Sequence, residues 1–140
     1  MRKFSYRYDK ILHLKSFIRK QREHEFSEIA LLIEKLKNKI KEYNEFLLNP
    51  PQIYKLELEL EYRRYFDAIA AEIKFLKNEI ENLMPEYNKR KEKYLLARKE
   101  EKMLEKLKEK RYEKYLEDYF KEEAKILDEI STILSNENYI

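Results

Sequence analysis

Glycine, cysteine and tryptophan are all missing from this chain of 140 residues, and proline occurs only three times. Without glycine there is no flexible backbone to cradle a nucleotide phosphate, so a glycine-rich phosphate loop, and nucleotide hydrolysis by it, is excluded. Without cysteine there is neither a disulfide scaffold nor a thiolate metal site, which fits a reducing compartment. No stretch approaches the ~18 apolar residues that a membrane span requires, and the opening Met1-Arg2-Lys3-Phe4-Ser5 lacks the apolar run of a secretory signal. A soluble, cytoplasmic protein is expected.

What is present is charge and apolar material in nearly equal parts, 42% and 43%. That supplies one apolar stripe per helix but no thick core. Disorder is disfavoured by twelve tyrosines and seven phenylalanines and by their regular placement. From Phe26 the apolar positions run Ile29, Ile33, Leu36, Ile40, Tyr43 and Leu47. A second series runs Tyr62, Phe66, Ile69, Ile73, Leu76, Ile80 and Leu83. Steps alternating between three and four are heptad ladders, the pattern of helices packed along a seam.

The spacing predicts an all-α fold, an antiparallel two-helix coiled-coil hairpin with a longer second helix, forming one elongated domain more than about 80% helical. Helix one is expected over about 5–48, roughly 66 Å at 1.5 Å per residue, the turn at 49–51, and helix two over about 52–134. Asn49 precedes proline and is pushed out of the α region, while Pro51 can open a helix. Pro85 interrupts the second ladder and is expected to kink rather than break that helix, at a cost of ~3 kcal/mol. Successive steps of four at Ile18, Arg22 and Phe26 should relax the supercoil there. Leu56-Glu57-Leu58-Glu59-Leu60-Glu61 alternates like a strand but lies between helical ladders and is read as helix. A turn at Pro50-Pro51 would set residue i near residue 101 − i, with Tyr43 facing Leu58 and Phe4 close to Ala97. Everything after about Lys99 would then project alone, with Leu104, Leu107, Tyr112, Leu116, Tyr119, Ile126, Ile130 and Ile133 as an unpartnered stripe.

Candidate chemistry is sparse. His13 and His24 stand ~16 Å apart along a helix and cannot share a metal ion. Carboxylates act as paired catalysts only when burial separates their pKa values, which solvated helix faces do not do. No catalytic residue, cofactor, metal or small-molecule substrate is expected. Nucleic acid is an unsuitable partner: acids interleave with the bases in Lys91-Glu92-Lys93 and Lys99-Glu100-Glu101-Lys102, and each repels phosphate. Charge is uneven, however. Residues 1–25 carry eight Lys and Arg against three Asp and Glu, residues 86–115 twelve against seven, and residues 116–140 two against seven. Tyr43, Phe46, Tyr62, Tyr65 and Phe66 gather near the turn, more aromatic surface than a seam needs, as flank packing or as a partner patch.

Two stretches carry a resemblance. Phe4-Ser5-Tyr6-Arg7-Tyr8-Asp9-Lys10-Ile11-Leu12-His13-Leu14-Lys15 opens the chain. Leu104-Glu105-Lys106-Leu107-Lys108-Glu109-Lys110-Arg111, then Tyr115, Glu123 and Leu127-Asp128-Glu129-Ile130, close it. Together they resemble the flagellar export protein FliJ family over essentially the whole chain. The resemblance implies a non-enzymatic stalk in the flagellar type III export apparatus, similar to the gamma subunit of rotary ATP synthases. It also implies a position at the cytoplasmic face of the inner membrane, with a hexameric export ATPase, a membrane export gate protein and export chaperones as partners. The tight Pro50-Pro51 turn departs from the longer loop of such proteins. Leu116, Tyr119, Ile126, Leu127, Asp128, Glu129 and Ile130 are the residues expected at the ATPase ring, and Tyr43, Phe46, Tyr62 and Tyr65 those at the gate. A stalk of a virulence-type secretion system, or a self-associating coiled-coil adaptor without an ATPase partner, stays open.

Overall fold

The computed structural model describes residues 3–49 and 58–137. Two helices, α1 over Asp9–Leu48 and α2 over Glu59–Glu137, pack against each other as a hairpin, and 94% of the described residues are helical. Among the described residues there is no strand.

The helix limits follow from local chemistry. Residues 3–6 are not helical; the Asp9 N–H bonds to the Tyr6 carbonyl at 3.1 Å, a turn that launches α1. Asp9 then places a carboxylate in the first turn, where the helix dipole favours it. Helix one therefore starts four residues later than the sequence pattern predicts. At the other end the Asn49 N–H closes onto the Glu45 carbonyl at 3.0 Å, and Pro50 follows. The Pro50-Pro51 turn and residues up to 57 lie outside the described residues. α2 begins at Glu59, after Leu58. α2 runs unbroken through Pro85, as the ladder on both sides of it requires.

The chain divides into two compact units, residues 19–96 and residues 1–18 with 97–140. In the first, Ile29, Ile33 and Leu36 of α1 and Ile69, Ile73 and Leu76 of α2 are buried, all of them ladder positions. Phe26 packs between Tyr87 and Tyr94, ring centroids 5.2 and 5.8 Å away. Arg90 donates to the Glu25 carbonyl at 2.9 Å and pairs with Glu86 at 3.0 Å. A groove of about 300 Å³ beside Met84 and Tyr87 is lined by Ala30, Ile33, Glu34 and Lys37, and brings no set of catalytic groups together.

In the second unit the buried residues are Tyr6, Leu12, Ala97 and, at 7% exposure, Glu101. No buried polar side-chain atom among the described residues lacks a hydrogen-bond partner.

Pairing in both units departs from the expected register. The numbers of paired residues add to 111 for Phe46 and Tyr65, 113 for Phe26 and Tyr87, 115 for Lys15 and Glu100, and 116 for Phe4 and Tyr112. The expected 101 is thus displaced by about two heptads, a shift that returns the same faces to contact. Tyr43 therefore does not face Leu58, nor Phe4 Ala97. The lone part of α2 begins not after Lys99 but about twenty residues later.

Candidate partner-binding surfaces

The surfaces available for binding are set by where α2 is covered. Its last covered stretch is held by the chain's opening residues. Phe4 lies against Tyr112 and Tyr115 at 5.0 and 5.5 Å. The buried Tyr6 hydroxyl donates to the Leu104 carbonyl at 3.2 Å. Lys108 donates to Asp9 at 2.9 Å, and that bond, with the lysine's charge, holds the Asp9 carboxyl below its ordinary value. Lys15 pairs with Glu100 at 2.8 Å. The Tyr8 ring carries two guanidinium groups, Arg7 at 5.7 Å and Arg111 at 5.9 Å. Sequence reasoning extended helix one through this segment and missed the clasp. Its signal was available: Phe4, Tyr6 and Tyr8 alternate with polar residues, the period of an extended chain, while Tyr112, Tyr115 and Tyr119 keep helical spacing.

Beyond the clasp α2 is bare. Every residue from Phe120 to Glu137 is exposed, including Ile126, Leu127, Ile130, Ile133 and Leu134. The residues expected at the ATPase ring therefore divide. Leu116 and Tyr119 are half-buried in the clasped part, Tyr119 touching Tyr115 and Phe120; a hydrogen bond to Glu123 holds its phenol above its ordinary value. Ile126, Leu127, Asp128, Glu129 and Ile130 stand together on the bare arm, where Thr132 donates to the Asp128 carbonyl at 2.9 Å.

A third surface lies where the described parts of the helices end near residues 49 and 58. Phe46 meets Tyr65 edge-on at 5.5 Å and Phe66 at 6.1 Å, and Tyr62 lies 6.2 Å from Phe66. Three of the four residues expected at the gate are thus gathered; Tyr43, half-buried, joins none of these ring contacts. Tyr65 stays 54% exposed, and with Leu58, Glu61 and Tyr62 it lines a shallow depression of about 370 Å³.

His13 and His24 are exposed, each within 3.4 Å of a carboxylate one turn away. Among the described residues no cluster of three His, Asp or Glu could hold a metal ion, and no helix is long and apolar enough to cross a membrane.

A family model described as "Flagellar FliJ protein" matches residues 5–138, from the clasp through the whole bare arm. Comparison with curated proteins and with solved structures yields no match.

Proposed function

Because the chain belongs to the FliJ family and so is a component of the flagellar export apparatus, we propose that it acts there as a stalk, linking the hexameric export ATPase to the membrane export gate. The observation that carries this reading is the bare arm: α2 continues from Phe120 to Glu137 with its apolar residues uncovered. An apolar stripe left open at the end of a paired helix is a docking element, and five carboxylates against two lysines over residues 120–137 direct it toward a basic receptor.

A stalk must also resist bending. Two helices joined by ladder residues, each contributing about 1.5–3 kcal/mol on burial, transmit a push better than one helix alone. The aromatic group of Phe46, Tyr62 and Tyr65 then faces the gate. Virulence-type secretion is not needed to explain the chain, since the family matched is the flagellar one.

The test is a truncation placed by the clasp. Removing residues 121–140 takes away the bare arm while keeping Tyr112 and Tyr115, which hold Phe4, and Tyr119, which packs on Tyr115. The shortened chain should lose binding to the hexameric ATPase and any stimulation of it, with an unchanged urea midpoint. Full stimulation by the shortened chain would overturn the assignment of the arm.

A further inference from the structure

We propose that the bare arm of one copy docks on the clasped base of a second copy, each chain giving its arm and receiving its partner's. The base consists of residues 3–18 and 97–115, and it carries twelve Lys and Arg against six Asp and Glu. The arm, residues 120–137, carries two against five. One unit thus presents two surfaces of opposite sign.

The base is most cationic around Tyr8. Arg7 and Arg111 both lie over that ring, both are exposed, and neither enters an ion pair among the described residues. Two guanidiniums held over one ring repel each other unless an anion joins them, so the site attracts carboxylate. Lys114, exposed and one turn beyond Arg111, adds to it. The base also leaves the apolar side chains of Ile11, Leu14 and Phe17 on α1 and of Met103 on α2 exposed.

The arm has the complementary design. Ile126, Ile130 and Ile133 fall on one helical face, and Glu122 and Glu129, seven residues apart, border it. Residues 120–137 extend about 27 Å and residues 97–115 about 28 Å, so one arm covers one base. Arm against arm is disfavoured, since that would bring like carboxylates together. Reciprocal docking closes on itself by a two-fold axis and builds no filament. On the stalk reading the same arm enters the ATPase ring, so the paired and ring-bound states exclude each other; the pairing is nonetheless measured on the chain alone, and its failure would leave the stalk reading standing.

Sedimentation velocity of the full chain at about 0.05 M and about 0.5 M salt, where screening lengths are roughly 14 and 4 Å, tests the proposal. A dimer at low salt that dissociates at high salt is expected. Arg7→Glu with Arg111→Glu should weaken dimerisation at least tenfold, as should Glu122→Lys with Glu129→Lys, each variant keeping its far-ultraviolet circular dichroism. Mixing the two variants should restore the dimer, because native arm then meets native base and reversed arm meets reversed base. A monomer at low salt up to roughly 100 μM would overturn the proposal. So would a dimer indifferent to both reversals, or a loss that mixing does not rescue.

Discussion

Leu76 and Phe75 are neighbours in sequence and opposites in exposure, 4% against 55%. Leu76→Ala removes three carbon atoms from the seam, about 2.4 kcal/mol of transfer free energy at ~0.8 per carbon. A cavity contribution brings core Leu→Ala changes to roughly 2–5 kcal/mol. The seam here is one layer thick and partly open to water, so the expected cost lies toward the lower end, about 2–3 kcal/mol. Phe75→Ala removes more atoms yet should cost under about 1 kcal/mol, because its ring is already wet. Urea unfolding followed by circular dichroism reads both values from the shift in midpoint at constant slope. The register is tested by the same route. Its pairing places Leu36 opposite Leu76, so Leu36→Ala and Leu76→Ala should couple by about 0.5–3 kcal/mol in a double-mutant cycle; partners displaced by two heptads would add independently. A larger loss at Phe75 would show that the buried face is misassigned, and strict additivity of the pair would refute the register.

The clasp carries a pH signature. The Asp9 carboxyl is lowered from 3.8 mainly by its bond to Lys108, so the folded state favours its ionised form; this contribution is complete above the ordinary carboxylate value and is lost as pH falls through the lowered one. Lys108→Met should therefore reduce stability near neutral pH but make no difference in strong acid, and a deficit that persists unchanged at about pH 2 would show that the ion pair is not its source. At the other end, Tyr62→Ala with Tyr65→Ala should abolish binding to the export gate protein while ATPase binding remains. Gate binding that survives this pair of changes would reduce the aromatic group to packing.

The faces of both helices were legible because heptad spacing states which side of a helix is apolar, and Ile29, Ile33, Leu36, Ile69, Ile73 and Leu76 are buried as that spacing requires. The register was not legible, because the pattern repeats every seven residues. A displacement of two heptads satisfies it equally well, and the choice between the alternatives is read only from cross-helix pairs such as Phe46 with Tyr65 and Phe26 with Tyr87. The proline pair was a sound stop signal for α1, which ends at Leu48. Glu101 shows the converse failure. A glutamate within a run of alternating charges reads as solvated, yet it stands four residues after Ala97 and three before Leu104, on the side turned toward α1, and is buried there. Of the residues expected at the ATPase ring, Ile126 to Ile130 are exposed on the bare arm while Leu116 and Tyr119 are half-buried, a division that the ladder spacing alone does not state.

The order in which such a hairpin closes is written in the separation of its contacts. Phe46 reaches Phe66 across twenty residues, whereas Tyr6 reaches Leu104 across 98. Closing the second loop directly would cost about 1.4 kcal/mol more chain entropy than closing the first. The helices therefore zip from the end near residues 49 and 58, each added turn shortening the gap the next must close, and the clasp forms last. Run backwards, the same sequence makes Phe4, Tyr6 and Tyr8 the first to let go. A loss of order that begins there uncovers more of α2 one turn at a time while the far end stays closed, so the chain can lengthen its bare arm without unfolding.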